Sequence, residues 1–463
     1  MRLRAPNVFA LLFTILVLVS ASTWVLPAGR FDRETRVIGG IERSVLVPGS
    51  YRVLAVEERT PQGPAAILQA PIRGFGARWQ VIGFILLVGG AFGVLHRTGA
   101  ILASISWITG RAVGVGRFAT IPILMFTFSA GGAIFGMAEE TIPFILVTVP
   151  LAVALRFDVI TGIAIPFVGS QAGFAAAFLN PFTLGVAKGI AGLPVADGQL
   201  YRIFCWIVVT SLLSAIVTWH AWTVSRNPAR SPTPQLDDEW RQEVSQETDA
   251  ENRLSVPHLL VLIGFASCMV ALALGAVLAD WYIVELSALF VFLAVLCGAL
   301  GRLSPSEIGE AFGSGARDLA PAALLVAFAS GILVLAEDGQ IIDTLLNAVA
   351  ESLSGVSPLL ATEGMFLAQT GINFFVPSGS GQAALTMPIM APLADLLGVS
   401  REAAVLAFQF GDGFTNMIIP TNPVLMGALV MARLPYGTWF RWMFKIQLVL
   451  LVVGMLLLAA SPF

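Results

Sequence analysis

The sequence has few charged residues, which make up 12% of its 463 positions. In ordinary globular chains about 25% of the residues are charged. The charged residues of this chain are too few to cover the surface of a soluble protein of this size. Water-soluble and disordered proteins are therefore excluded. The net charge of −3 leaves no basic excess for phosphates, which excludes nucleic-acid binding. The three cysteines, Cys205, Cys268 and Cys297, lie in apolar runs without CxxC spacing, which excludes a disulfide framework and a zinc site. We therefore expect an integral membrane protein.

Long apolar runs take the place of the missing charges. A spanning helix needs roughly 20 mostly apolar residues. By that measure the sequence predicts an all-α polytopic membrane protein with about nine spans, at residues 8–26, 80–96, 159–191, 204–222, 258–278, 283–300, 319–335, 403–432 and 444–460. Two further apolar regions, residues 118–155 and 357–398, are too long for one straight helix and have polar, glycine-rich centres. Each is predicted to be a re-entrant helical hairpin, which enters the membrane and returns on the same side.

The distribution of Lys and Arg predicts the orientation, because short cytoplasmic loops carry most of these residues. With a cytoplasmic N-terminus and neither hairpin crossing, most basic residues of short loops lie inside, whereas Lys188, Arg202 and Arg401 lie outside. We therefore expect a multi-pass protein of a bacterial-type inner (plasma) membrane with an extracytoplasmic C-terminus. The first membrane helix, within residues 1–26, is long enough to span, although a basic start before an apolar run also occurs in cleaved signal peptides.

Two polar segments separate the membrane regions. Residues 27–78 mix charged residues with short apolar alternations, which predicts a small β-rich extracytoplasmic segment. Residues 225–255 combine many charges with several prolines, which predicts a solvated cytoplasmic linker. The chain then divides into a first repeat at residues 79–224 and a second at residues 256–463.

The two halves share an internal repeat. Asn180-Pro181 corresponds to Asn422-Pro423, and Gly169 corresponds to Gly411 at the same offset. A hairpin and a broken helix occupy residues 118–155 and 159–191 in the first half, and residues 357–398 and 403–432 in the second. The predicted topology opens the first hairpin toward the cytoplasm and the second toward the outside, so the repeats are inverted. Inverted repeats with interrupted helices are typical of secondary transporters whose site lies at the bilayer midplane.

Polar residues of the membrane regions concentrate at the hairpin centres and the helix breaks. Gly and Pro interrupt backbone hydrogen bonding there, and the freed groups suit ions and small polar ligands. The predicted substrate-binding residues are Glu139, Glu140, Thr141, Asn180, Thr183, Ser378, Ser380, Gln382, Thr421 and Asn422. The predicted cation-binding residues are Ser170, Gln171, Asn373, Asp412, Thr415 and Asn416. The alternative is that Gly and Pro only allow close helix packing or kinks.

Three acids stand out, because a carboxylate near the bilayer centre is costly and usually functional. Asp412, between Gly411 and Gly413, is expected to bind a cation, carry a proton or contact a substrate amine, or else to cap a half-helix. One of Glu139 and Glu140 is expected to face the site. No Lys or Arg falls in these clusters, so an anionic substrate would rely on helix ends, amides and hydroxyls.

The sequence at these positions resembles the YfcC-like branch of the C4-dicarboxylate anaerobic carrier family, within the ion transporter superfamily. The motifs that carry the resemblance are Gly136-Met-Ala-Glu-Glu-Thr-Ile-Pro-Phe144, Asn180-Pro-Phe-Thr183, Pro377-Ser-Gly-Ser-Gly-Gln382, Phe410-Gly-Asp-Gly-Phe-Thr-Asn-Met417 and Pro420-Thr-Asn-Pro423. The resemblance implies a homodimer in which a scaffold domain holds a transport domain made of both hairpins and both broken helices. It also implies an elevator-type cycle with sodium or proton coupling, no other cofactor, and a substrate among dicarboxylates or amino acids, including arginine/ornithine exchange.

The resulting hypothesis is an ion-coupled secondary transporter that is not an enzyme, with substrate, coupling cation, lipid bilayer and a second copy as partners. An intramembrane aspartyl protease is one alternative, because Asp412 lies in a Gly-Asp-Gly sequence, but a second membrane Asp on a neighbouring helix is not evident. A serine enzyme would need a buried His, and His96, His220 and His258 lie at span ends. A channel is the remaining alternative, which saturable, gradient-driven accumulation would separate from a transporter.

Overall fold

The first half of the chain forms helices and a small β segment. A computed structural model describes residues 8–38, 41–111, 116–194, 196–248, 254–279, 281 and 283–463. The helices of the first half are α1 Val8–Val25, α2 Pro64–Ala77, α3 Trp79–Arg97, α4 Ala100–Arg111, α5 Gly116–Phe135, α6 Thr141–Ala154, α7 Val159–Ala164, α8 Phe167–Ala175, α9 Val186–Ala191 and α10 Gln199–Arg226. The strands are β1 Gly29–Arg30, β2 Arg33–Ile38, β3 Ile41–Leu46 and β4 Arg52–Val53, and they form two antiparallel pairs, β1 with β4 and β2 with β3.

The second half is helical throughout its described residues. Its helices are α11 Pro234–Thr248, α12 Val256–Leu278, α13 Ile283–Leu300, α14 Pro305–Asp338, α15 Ile342–Ser352, α16 Pro358–Asn373, α17 Gly379–Leu396, α18 Arg401–Thr415, α19 Pro423–Met431 and α20 Tyr436–Ala459. Across both described halves, eight helices are long and apolar enough to cross a membrane. Seven of them coincide with predicted spans, and the eighth is α5, an arm of the first predicted hairpin. The chain is therefore a mostly helical polytopic membrane protein.

The two remaining predicted spans are interrupted helices. In the first, Asn180 ends an irregular stretch after α8, and its side chain accepts hydrogen bonds from Phe182 N at 2.9 Å and Thr183 N at 3.2 Å. A π-helical turn, Pro181–Gly185, then leads into α9. The second break repeats this arrangement, because the Asn422 side chain accepts from Val424 N at 2.8 Å at the start of α19. An asparagine cap followed by proline is a local signal for a helix start, which explains why the breaks were predictable.

Helices α2 and α3 together match α14 in length and pack against it in the opposite direction. Gly74 of α2 lies against Ala327 and Gly331, whereas Gly93 of α3 lies against Ala311 and Gly315. The residue numbers of the contacts rise from α2 to α3 and fall along α14, so α14 runs antiparallel to α2 and α3. The inversion of the two repeats remains a prediction. The re-entrance of the two hairpins, α5 with α6 and α16 with α17, also remains a prediction.

Close packing at the α3–α14 crossing gives a stability prediction. A Cβ atom at Gly93 would meet Ala311 O and lie 2.8 Å from Gly315 Cα, whereas a Cβ atom at Gly83 on the same helix has no heavy atom within 4 Å. Gly93→Ala should therefore destabilise the protein by about 1–3 kcal/mol. Gly83→Ala should stabilise it by about 0.5–1 kcal/mol, because glycine weakens a helix interior. Thermal unfolding of the two purified variants in detergent tests this, and equal midpoints would contradict it.

The predicted β-rich segment is shorter than expected. Its strands end at Val53, and α2 occupies most of the remainder up to residue 78. The β part docks on the start of α15, where the Asp343 carboxylate accepts from Phe31 N at 2.9 Å and from Arg33 Nη2 at 3.0 Å. Proline at the first position of α2 and its close packing on α14 explain the helix, because tertiary packing supports a short helix that would be marginal alone.

The predicted linker is also more ordered than expected, although its residues 249–253, like residues 1–7 of the first predicted helix, lie outside the described residues. Helix α11 buries Asp237 and Trp240. The Asp237 carboxylate accepts from Val159 N at 2.9 Å, at the start of α7. Trp240 Nε1 donates to Ala432 O at 3.4 Å, at the end of α19. The linker helix is thus attached to the first and second broken helices.

Candidate functional site

The hairpin turns and the helix breaks meet around one cavity of about 140 Å³. Residues from all four predicted polar clusters line it, namely Glu139, Glu140, Gln171, Thr183, Ser378, Ser380, Asn416, Thr421 and Asn422. Helices α3, α12, α13 and α14 supply the opposite wall through Val81, Ala276, Leu286 and Ser330. Both hairpin turns and both broken helices therefore contribute polar side chains to one cavity.

The first hairpin turn packs against the first helix break. Gly136 has a φ of +76°, which favours glycine, and a side chain there would lie 2.8 Å from Asn180 Oδ1. Within the turn, the Glu140 carboxylate accepts from Ala138 N at 2.9 Å. Glu139 also lines the cavity. Both acids therefore reach the site.

The second helix break contains a buried group of polar side chains around Asp412. Asp412 is fully buried; its Oδ1 accepts from Asn416 Nδ2 at 3.0 Å, and its Oδ2 has no hydrogen-bond partner among the described residues. Asn373 Nδ2 donates to Asn416 Oδ1 and to Asp412 O, both at 2.9 Å, which leaves Asn373 Oδ1 without a partner. A Cβ atom at Gly379 would lie 2.9 Å from Asp412 Oδ2. The second hairpin turn therefore covers the free carboxylate oxygen of Asp412, and this oxygen and the amide oxygen of Asn373 are of the type that binds a small cation.

The other predicted cation-binding residues lie apart from this group. Ser170 donates its hydroxyl to Met137 O, and Thr415 donates to Gly411 O one turn earlier in α18. Gln171 instead reaches the cavity wall, and its buried Oε1 has no partner among the described residues. The structure thus brings together Asn373, Asp412 and Asn416, and places the remainder elsewhere around the site.

The predicted substrate-binding residues separate into two groups. Glu139, Glu140, Thr183, Ser378, Ser380, Thr421 and Asn422 are on the cavity wall. Thr141, Asn180 and Gln382 are not among the lining residues. Thr141 donates to Ala138 O at 2.6 Å, and Gln382 Nε2 donates to Gln369 Oε1 at 2.7 Å. Together with the Asn180 cap, these bonds shape the hairpins and the break rather than the cavity surface.

The comparison with protein families identifies the family of the chain. A family model described as "C4-dicarboxylate anaerobic carrier" matches residues 5–461. The chain belongs to this carrier family. The protein is therefore a multi-pass membrane protein of a transporter family, and the resemblance to the YfcC-like branch is confirmed by the relative described next.

Two curated relatives of this carrier cover nearly its whole length. One is the "putative basic amino acid antiporter YfcC" of Escherichia coli K12, which is 36% identical over 469 residues and covers 94% of this chain and 92% of its own. The other is an uncharacterised protein of Haemophilus influenzae, 26% identical over 98% of this chain and 96% of its own. Among solved structures, the YdaH transporter of Alcanivorax borkumensis matches with a TM-score of 0.44 and 20% identity over 98% of both chains.

One cationic residue of the carrier's cavity was missed by the sequence analysis. Arg78 lines the cavity, although it was assigned to the edge of the extracytoplasmic segment. It occupies the break between α2 and α3, with φ −129° and ψ 25°. The only signal in the sequence is a single arginine between two apolar stretches, which resembles an ordinary loop charge.

A second missed feature of the carrier is a buried charge cluster. Glu402 Oε1 accepts from Arg202 Nε at 2.7 Å and lies 3.1 Å from Lys188 Nζ. Arg202 Nη1 also donates to Gln409 Oε1 at 2.5 Å. All four side chains are buried, and they connect α9 and α10 with α18. Because Lys188 and Arg202 were assigned to short outer segments, their burial against Glu402 was not expected.

Proposed function

We propose that this carrier is a secondary active transporter that couples the movement of a small carboxylate-bearing metabolite to a sodium ion or a proton. The supporting observation is the meeting of both hairpin turns and both helix breaks around one polar cavity. Such a site receives groups from both repeats, as expected for a transporter site at a repeat interface. The carrier would act as a homodimer in the inner membrane, with its N-terminus in the cytoplasm.

The Asp412 group is the proposed site of the coupling ion. Asp412 Oδ2 and Asn373 Oδ1 are buried oxygens without partners among the described residues. Burying such groups without compensation is unfavourable, so a bound sodium ion or proton would stabilise this arrangement. The second hairpin turn lies directly over Asp412 Oδ2. Occupancy by the cation would therefore favour the closed hairpin, and this preference links cation binding to substrate binding.

The proposed movement is of the elevator type. Both hairpins and both broken helices contact one another through Gly136 with Asn180 and through Gly379 with Thr183 and Asp412. Helices α2, α3 and α14 pack on one another through the glycines described above. The cavity lies at the boundary between these two groups of helices. Movement of the hairpin group along the other group would carry the ligand across the membrane.

The acids on the wall favour one substrate class within this proposal. Glu139 and Glu140 both line the cavity, whereas Arg78 is its one lining Lys or Arg in the described part of the chain. Two carboxylates repel a dicarboxylate and attract an amine or a guanidinium. A basic amino acid, exchanged or symported, is therefore favoured over a dicarboxylate. The relative described as a putative basic amino acid antiporter is consistent with this choice.

Uptake into proteoliposomes tests the proposal. Purified protein should accumulate labelled arginine or ornithine more strongly than succinate or fumarate, with saturation, when an inward sodium or proton gradient or internal amino acid is supplied. Collapse of the effective gradient with an ionophore should remove the accumulation. Protein-free liposomes are the control. Flux that does not saturate and never exceeds equilibrium would indicate a channel, and absence of flux for every compound would contradict a carrier of these classes.

A further inference from the structure

Arg78 lines the cavity from an element that belongs to neither hairpin nor broken helix. It lies between α2 and α3, and its N–H donates to Gly74 O at 3.1 Å. Gly74 in turn packs against Ala327 and Gly331 of α14. The position of Arg78 is thus determined by the tight contact of α2 with α14, and it does not depend on the hairpins or the broken helices.

The guanidinium of Arg78 is available for a ligand. Arg78 is half-buried, and it makes no ion pair or side-chain hydrogen bond with the described residues. Its charge interacts with Glu139 across the cavity and with Glu337 of α14. Neither carboxylate forms an ion pair with it among the described residues. A guanidinium beside a partly enclosed cavity favours a carboxylate, which it can bind through two parallel hydrogen bonds.

We propose that Arg78 is a specificity-determining residue that binds the substrate carboxylate from the non-hairpin wall, and does so in only one of the two transport conformations. This inference rests on the proposed function. Glu139 belongs to the first hairpin turn, whereas Arg78 belongs to the α2–α3–α14 group. When the hairpin group moves relative to α14, the ligand leaves Arg78 but stays with the hairpin turns. Arg78 therefore contributes to affinity on one side of the membrane and contributes nothing on the other.

Two pairs of ligands that differ only in one carboxylate test the proposed contact between this group and Arg78. L-arginine and L-argininamide differ by the replacement of a carboxylate with an amide, as do succinate and succinamate. For the pair that binds, the unsubstituted protein should bind the carboxylate form about 10- to 100-fold more tightly, the factor expected for a hydrogen bond to a charged group. Arg78→Gln should remove most of this discrimination, and Arg78→Lys should retain part of it. Titration calorimetry of the purified full-length protein measures both affinities.

Arg73→Gln is the matched control. Arg73 lies on α2, which ends immediately before Arg78; it is exposed and pairs with Asp338, and it does not line the cavity. The Arg73→Gln variant should therefore prefer the carboxylate ligand over the amide ligand as strongly as the unsubstituted protein does. Discrimination by Arg78→Gln equal to that of the unsubstituted protein would overturn the inference and leave the proposed function standing. Binding of none of the four ligands by the unsubstituted protein would overturn both.

A second experiment tests whether Arg78 binds the substrate in only one of the two transport conformations. Uptake of the bound carboxylate ligand is measured in right-side-out and in inside-out membrane vesicles that contain each variant. Arg78→Gln should raise the half-saturating concentration about 10- to 100-fold in one vesicle orientation, and by less than about twofold in the other. An equal rise in both orientations would overturn the proposal, because it would mean that Arg78 acts in both conformations or only through the fold.

Discussion

Asp412→Asn should abolish gradient-driven uptake and leave the protein folded. The substitution removes the negative charge at Oδ2, which has no internal partner among the described residues, and preserves an oxygen that can accept from Asn416 Nδ2. The buried network with Asn373 can therefore persist. Loss of the only formal charge in the proposed cation group should lower coupled uptake by about 100-fold or more, the upper range for substitutions around a bound ion.

The matched control for this prediction is Asp395→Asn. Asp395 is exposed and pairs with Arg401 through hydrogen bonds at 2.6–3.1 Å, so the same chemical change occurs away from the cavity. Uptake by this variant should stay within about twofold of the unsubstituted protein, because exposed ion pairs contribute little. Proteoliposome uptake and thermal unfolding are measured for both variants. Normal gradient-dependent uptake by Asp412→Asn would show that the coupling ion binds elsewhere.

Glu402→Gln should destabilise the protein by about 3–5 kcal/mol. The carboxylate serves both Lys188 and Arg202, and all three side chains are buried. Removing the negative charge of a buried ionic group leaves its positive charges only partly compensated, and such losses are in this range. The effect should appear as a large fall in the thermal midpoint and in the yield of folded protein in detergent.

Two further variants test whether the loss of stability comes from the unbalanced buried charges. Glu239→Gln makes the same change at an exposed position of α11 and should alter stability by less than about 0.5 kcal/mol. The triple variant Lys188→Met, Arg202→Met, Glu402→Leu removes all three charges and should be more stable than Glu402→Gln alone, since an apolar replacement of a whole buried group is often tolerated. A triple variant less stable than the single one would assign the loss to packing.

The features predicted from sequence are those that depend on local patterns. Apolar length determines which helices can span, and it located seven continuous spans. The Asn-Pro pairs located both helix breaks, because an asparagine cap and a following proline act within a few residues. The sequence analysis grouped Ser378, Thr183 and Asn422 by comparing the two halves of the chain, and all three line one cavity.

The features that were missed depend on contacts between distant parts of the chain. Arg78 reaches the cavity only because α2 packs on α14, and a helix of 14 residues gives no sign in sequence of which surface will receive it. Glu402 and Arg202 are 200 positions apart, so the pairing that permits their burial is invisible locally. Gln382 faces Gln369 inside its own hairpin. Composition does not determine whether such a side chain points toward the other arm of the hairpin or toward the cavity.

The attachment of α11 has a consequence for the mechanics of the molecule. Asp237 holds the start of the first broken helix, and Trp240, stacked under Arg433 at 4.8 Å, holds the end of the second. Sliding of one broken helix past the other would therefore break at least one of these buried hydrogen bonds. The segment that connects the two halves in sequence therefore also connects the two broken helices in space. A force applied to α11 would therefore act on both broken helices at once.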